Sequence, residues 1–262
     1  MSIYQSRELG NRYHDLGPGD VVVGEVTAAH HHPARLIDLL QRGVTCVPSP
    51  LSQLLSRSKV AQVEILGQFM LPLTLAIRRR KQLMAAINIY NQAGIHAVVT
   101  KEEHMHCGHG VRRWDHIEMV YSFRGLDNHS YPFVIQPLVE RFTDVRVIMV
   151  GDYTEAYTRH NPDSFRGNLS AGGRCRPHVL TDDQERFCRQ IVDRAQFPYA
   201  HLDLQIMADG GLHILEIALN GGIRGSRLDR ADLEKRKARR LLQLAEMLSQ
   251  SLPKPPQTDI DG

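Results

Sequence analysis

The chain has 262 residues, 42% of them hydrophobic, enough to bury a sizeable core in one or two domains. Its 32 Lys and Arg against 29 Asp and Glu leave a net charge of +3, which is not the balance of a dedicated nucleic-acid binder. Its 4 scattered cysteines form no C-x-x-C pair, which argues against a disulfide scaffold and for reduced thiols. The N-terminus shows no basic-then-apolar leader, and Phe69 to Ile77 is too short an apolar stretch to cross a bilayer. A cytoplasmic protein without membrane contact is expected.

The β-branched run Val21 to Val26 predicts a strand. Pro33 to Gly43 follows as an amphipathic helix with Leu36, Leu39 and Leu40 on one face and Gly43 as its stop. Val44 to Val47 predicts a second strand, and Ser49-Pro50 opens a helix through Leu51, Leu54 and Leu55. This alternation predicts a short α/β lobe. A helix over Arg80 to Ala93 ends at Gly94. Strand Ile95 to Thr100 then runs into an irregular loop, Lys101 to Gly110. Strands follow at Phe133 to Gln136, Val145 to Val150 and Glu155 to Arg159, the last two joined by a turn at Asp152-Tyr153. Thr181 to Ala195 reads as a helix capped by Thr181, with Asp182 and Asp183 in its first turn. Strands Leu202 to Met207 and Leu212 to Leu219 flank the hairpin signal Asp209-Gly210-Gly211. A charged amphipathic helix, Leu228 to Leu252, and a Pro-rich tail expected to be disordered close the chain. The basic runs Arg78 to Lys81 and Lys235 to Arg240 read as solvated helix faces.

Three groups of residues carry chemistry. Asp203 and Glu216 stand near-opposite across the last hairpin, each flanked by apolar neighbours, so alternation turns both to one sheet face. Two such carboxylates repel unless a cation lies between them, and hard oxygen ligands suit Mg²⁺. The same spacing also fits two surface acids, each paired with Lys or Arg. The segment Lys101 to Val111 places a lysine at a strand end before the G-x-G loop Gly108-His109-Gly110. Glycines let backbone N–H groups approach a phosphate, and the lysine adds charge. His104, His106, Cys107 and His109 are spaced too tightly for one tetrahedral zinc site. His30 to His32 reads as an exposed loop. Finally, Arg146, Arg159 and Arg166 lie in the strand-rich region, where inward arginines need anions. Phosphate and carboxylate are candidates, and so are plain salt bridges.

In order, these pieces resemble the ATP-grasp superfamily, and within it the ligases like ribosomal protein S6 glutamate ligase, from about Gly43 to Gly225. Ser58-Lys59, Leu66-Gly67 and Leu71-Pro72-Leu73-Thr74 are similar to the family's lysine-led helix and "G-x-P-x-P-x-T" element. Gln136-Pro137-Leu138-Val139 resembles its adenine hinge. Asp144-Val145-Arg146, Arg159 and Phe165-Arg166-Gly167-Asn168-Leu169 with Gly172-Gly173 resemble its "D-I-R", arginine and "F-R-x-N-x-x-x-G-G" elements.

The resemblance implies an α+β to α/β ATP-grasp fold, two α+β lobes clasping ATP. It divides the chain into an N-terminal lobe over 1–60, an ATP-grasp domain over 61–252 and a tail over 253–262. The ATP-grasp domain would contain a mobile glycine-loop subdomain over about 75–135, whose glycine loop would close over the phosphates as a lid. It also implies ATP with Mg²⁺, or Mn²⁺ in its place. Lys59, Lys101, His106, Gly108, His109, Gly110, Gln136, Pro137, Leu138 and Val139 would bind nucleotide. Asp203, Glu216, Asn168 and Asn220 would hold metal, and Arg146, Arg159 and Arg166 would be catalytic. The family's last strand reads "E-V-N-x-S-P-G", whereas this chain has Glu216-Ile217-Ala218-Leu219-Asn220-Gly221-Gly222. Ala218 replaces a metal-ligating asparagine, and Asn220, two residues on, would substitute by alternation. The implied reaction joins a carboxylate to an amine, on small-molecule or peptide substrates, without nucleic acid, in a monomer or homo-oligomer. A phosphotransferase or a non-catalytic ATP-binding module remains an alternative.

Overall fold

The structure is a computed structural model that describes residues 2–26, 32–103, 105, 109–162 and 172–251. The described residues divide into two compact units, one from residues 2–50 together with 234–251, the other from Leu51–Leu233.

The first unit begins with β1 (Ile3–Gln5) and α1 (Leu9–Arg12), then β2 (Val21–Val23), α2 (Pro33–Gln41) and β3 (Thr45–Val47). The three strands form a parallel sheet with β2 in the middle. All three valines of β2 are buried, as a central parallel strand requires. In α2, His32 caps the N-terminus, Pro33 opens it, and Leu36 and Leu39 are buried. Leu40, expected on the same face, is 55% exposed.

In the second unit, α3 (Pro50–Leu55) and α4 (Lys59–Leu66) lead into a four-stranded antiparallel sheet. Its elements are β4 (Leu75–Ile77), α5 (Arg80–Gln92), β5 (Val98–Glu102), β6 (Val111–Trp114), α6 (Ile117–Arg124) and β7 (Phe133–Pro137), with strand order β4-β7-β5-β6. Helix α5 buries Leu83, Ala86, Ile87 and Tyr90, an i, i+3, i+4, i+7 stripe. That stripe joins Val98, Trp114, Ile117, Phe133 and Ile135 in one core. Strand β5 runs two residues further than expected. Lys101 and Glu102 pair with β7, so the irregular segment starts after them.

The larger sheet follows: β8 (Phe142–Val150), β9 (Tyr153–His160), β10 (Arg174–His178), then α7 (Asp182–Arg194), β11 (Tyr199–Met207) and β12 (Leu212–Ala218). Its order is β10-β9-β8-β11-β12, antiparallel throughout. Val150 pairs with Tyr153, so the β8–β9 turn is Gly151-Asp152 rather than Asp152-Tyr153, with Gly151 at φ 60°. Helix α7 carries the expected Thr181 cap as a full capping box with Gln184. Helix α8 (Arg230–Ser251) ends the described chain, and from Glu234 it clusters with residues 1–50. No described helix is long and apolar enough to cross a membrane.

One face of the large sheet is apolar, with Val145, Val147, Leu202 and Leu204 all buried. The other face carries the charges.

Candidate active site

The antiparallel register arranges the charged face in rows. Glu216 pairs with Asp203, Asp203 with Arg146, and Arg146 with Tyr157. The next row is His213, Gln205, Asp144, Arg159 and Cys175. Directly paired residues point to the same face, so the first row sets two carboxylates beside a guanidinium.

Within the rows, opposite charges interlock. Arg146 reaches Asp203 through two nitrogens, Nε to Oδ1 and Nη2 to Oδ2, the second at 3.2 Å. Arg159 lies 2.7 Å from Asp144 Oδ1 and 3.0 Å from Asp203 Oδ2. Burial alone would raise the Asp203 pKa, but Arg146 and Arg159 hold it well below the usual carboxylate range. Burial pushes the Asp144 carboxyl up, with Arg159 opposing. Two arginines of the expected catalytic set, Arg146 and Arg159, thus find anions within the protein, on neighbouring strands.

Strand β12 contains a bulge. The register steps from Asp203–Glu216 to Leu204–Ile214, leaving Leu215 without a partner strand residue. The extra residue re-aims Glu216 onto the Asp203 face. It also frees the Leu215 carbonyl, which accepts from Lys101 Nζ at 3.3 Å. Burial lowers the Lys101 pKa to about 8; Glu216 pulls it up and Lys59 pushes it down. Lys59, the first residue of α4, lies 3.7 Å from Glu216 Oε1 and donates to the Met105 carbonyl at 2.8 Å. Four cations therefore surround three carboxylates: Lys59, Lys101, Arg146 and Arg159 against Asp144, Asp203 and Glu216.

A narrow cavity next to this cluster is lined by Lys59, Val63, Met70, Lys101, Gln136 and Leu215. Gln136 is buried on β7, and Pro137 ends that strand. Leu138 donates its N–H to the Ala97 carbonyl at 3.0 Å, and Val139 follows it. Gly110 sits where β5 and β6 converge. A side chain there would meet the Glu102 and Met105 Cβ atoms at 2.7 Å, so only glycine fits. His109 is exposed beside it. His106, Gly108, Arg166 and Asn168 lie outside the described residues, as do His104, Cys107, His30, His31 and the tail from residue 252.

The alternation argument for Asn220 does not hold. Strand β12 ends at Ala218, Leu219 is buried in the following bend, and Asn220 is exposed beyond it. Among the described residues no cluster of three or more His, Cys, Asp or Glu forms a metal cage. The donor set is still of the right chemistry for Mg²⁺: two carboxylates at paired positions on one face, with phosphate and water oxygens to complete the ligand set. Asp144, and Gln62, which also lines the cavity, escaped the sequence reading as site residues. Asp144 was visible in its motif, but nothing local marks Gln62.

The family model for the RimK-like ATP-grasp domain matches residues 52–241, most of the chain. The chain belongs to the RimK-like ATP-grasp family. Membership places it among the ATP-dependent ligases. Solved structures share the fold. The D-cycloserine synthetase DcsG aligns over 94% of this chain and 98% of its own, at TM-score 0.61 and 16% identity. The ATP-grasp ligase PsnB, solved with a precursor variant, Mg and ADP, aligns over 80% of this chain at TM-score 0.55 and 17% identity. This ATP-grasp chain spans 66% of PsnB. D-alanyl-alanine synthetase A from Vibrio cholerae aligns over 88% of this chain and 77% of its own, at TM-score 0.53 and 13% identity. At these identities the likeness is one of fold. Among curated proteins, no sequence matches the chain.

Proposed function

We propose that this ATP-grasp chain is a carboxylate–amine ligase that uses ATP and Mg²⁺ and proceeds through an acyl phosphate. The observation that carries the reading is the row Glu216–Asp203–Arg146, with Lys59 and Lys101 converging on it from α4 and β5. Asp203 and Glu216 would hold Mg²⁺ (or Mn²⁺), which supplies charge neutralisation at phosphate oxygens. PsnB binds Mg and ADP on the same fold.

The chain's own residues then have distinct tasks. Lys59 and Lys101 neutralise the phosphates, with Gln136 to Val139 beside the base. Arg146 and Arg159 stabilise the transferring phosphoryl group and the incoming carboxylate. An oxygen of the substrate carboxylate bonds to the γ-phosphorus as the bond to the β–γ bridging oxygen breaks, releasing ADP. The amine nitrogen then bonds to the acyl carbon, loses a proton and expels phosphate. PsnB is solved with a precursor peptide, and DcsG and D-alanyl-alanine synthetase are synthetases of small molecules. Both peptide and small-molecule carboxylates and amines belong in the screen.

The test is ADP release from MgATP across amino acids and short peptides, with mass spectrometry of the products. An amide accompanied by stoichiometric ADP and phosphate supports ligation. A phosphorylated product without amide makes the chain a phosphotransferase. Ala218, in place of a metal-ligating residue, favours a second reading: a nucleotide-binding module without turnover. Tight MgATP binding with no ADP formed by any carboxylate–amine pair selects that one.

A further inference from the structure

Strand β12 is an edge strand of the large sheet, so its outward backbone groups need partners from outside the sheet. At Ile217 they find one in Gln62. The Gln62 Oε1 accepts from the Ile217 N–H at 3.1 Å, and its Nε2 donates to the Ile217 carbonyl at 2.8 Å. A single side-chain amide thus pairs with both backbone groups of one residue, as a neighbouring strand would. The second Nε2 hydrogen reaches the Leu55 carbonyl at 2.7 Å, and Gln62 is 2% exposed.

Each end of this link lies next to the candidate site. Ile217 follows Glu216. Gln62 is three residues after Lys59 in the same helix, so the two side chains share a face of α4. Lys59 and Glu216 stand 3.7 Å apart. The start of α4 is fixed separately: the Glu103 carboxylate accepts from the Val60 N–H at 2.9 Å and from the Ser58 hydroxyl. Glu103 fixes where the helix begins, and Gln62 fixes its spacing from the strand that carries Glu216.

We infer that Gln62 is a positioning residue, holding the Lys59 ammonium at a set distance from Glu216 so that both meet the nucleotide phosphates. The inference rests on the proposed nucleotide site. Lys59 is long and flexible; without the docked helix its charge would be spread over many rotamers.

The test is a double-mutant cycle on MgADP affinity, read by calorimetry. Gln62→Met keeps the volume and removes the amide; it should weaken MgADP about tenfold. Lys59→Ala should weaken it at least as much. The double variant should bind no worse than Lys59→Ala alone, because Gln62 acts through Lys59. Affinity unchanged in Gln62→Met, or full additivity with Lys59→Ala, overturns the inference. If Gln62→Met folds poorly, Gln62→Asn carries the same cycle: it keeps the amide but falls one carbon short of bridging both groups. Failure of the unsubstituted chain to bind MgADP overturns the nucleotide site and this inference together. Binding that is intact but indifferent to Gln62 overturns the inference alone.

Discussion

Lys101 donates to the main-chain carbonyl of Leu215, the residue that the β12 bulge leaves without a partner strand residue. The lysine has exchanged water for a carbonyl dipole, and burial brings its pKa to about 8 from 10.5. The folded chain therefore holds fewer protons here than the unfolded chain between those two values. The resulting penalty on stability is fully present below about pH 8 and fades as pH rises toward 10.5. Lys101→Met should raise the melting temperature of the nucleotide-free protein, by more at pH 7 than at pH 10. A nucleotide phosphate would raise the Lys101 pKa again. MgADP binding at pH 8 should then take up about half a proton, and almost none at pH 6.5. Calorimetry in buffers of different ionisation enthalpy measures this. An uptake at pH 8 that persists in Lys101→Arg would assign the proton to another group.

Asp203 and Glu216 face each other but are held differently, which separates their roles in stability from their roles in chemistry. The Asp203 carboxylate is shared by two guanidiniums that are themselves 14% and 9% exposed. Asp203→Asn leaves those charges without their counter-ion, and breaking a buried pair from one side costs about 3–5 kcal/mol. Glu216 is 36% exposed with one ion pair at 3.7 Å, and loss of such a pair costs at most about 1 kcal/mol. Urea denaturation at pH 7 should show this contrast, while Asp203→Asn and Glu216→Gln both abolish ADP formation. The Asp203 contribution is present above the ordinary aspartate pKa. Because its folded pKa is depressed, it is lost only as pH falls through that lower value. Equal destabilisation by Asp203→Asn and Glu216→Gln would contradict the asymmetry.

That these two acids lie near-opposite on one face was legible because Asp209-Gly210-Gly211 marks the turn and each acid is flanked by apolar neighbours. Their direct pairing was not, because the turn register alone would set Leu215 opposite Asp203. The bulge at Leu215 was not legible, since one extra apolar residue among Leu212, Ile214, Leu215 and Ile217 leaves the pattern looking intact. Gln62 was hidden for a different reason: its partner is 155 residues away and is backbone. Strand β6 escaped because Arg112 and Arg113 interrupt its apolar pattern, and β10 because all but one of its residues are exposed on an edge. Asn220 shows the opposite failure. Alternation was carried past Ala218, where the strand stops and the rule no longer applies.

Glu155 offers a test of how the segment after β12 is kept over the charged face. Its carboxylate, 4% exposed, accepts from the Tyr153 hydroxyl at 2.9 Å, the Ser226 hydroxyl at 2.7 Å and the Arg227 N–H at 2.6 Å. Burial alone would raise its pKa, but these donors lower it, the Arg227 N–H most strongly. The Arg227 side chain is 75% exposed, so its own ion pair adds little. The same segment supplies the Gly222 carbonyl, which accepts from Arg146 Nη1 at 3.0 Å. Glu155→Ala should therefore free the segment, make the backbone after the already exposed Arg224 and Arg227 easier for trypsin to cut, and cost about 1–3 kcal/mol in stability. Glu155→Gln, with an acceptor retained, should fall between the two. The stabilisation belongs to the ionised carboxylate, so it is present above the ordinary glutamate pKa and is lost as pH falls through the lower folded value. Mapping early tryptic cuts by mass spectrometry decides the point. If cleavage after Arg224 and Arg227 is no faster in Glu155→Ala than in the unsubstituted chain, Glu155 does not hold this segment in place.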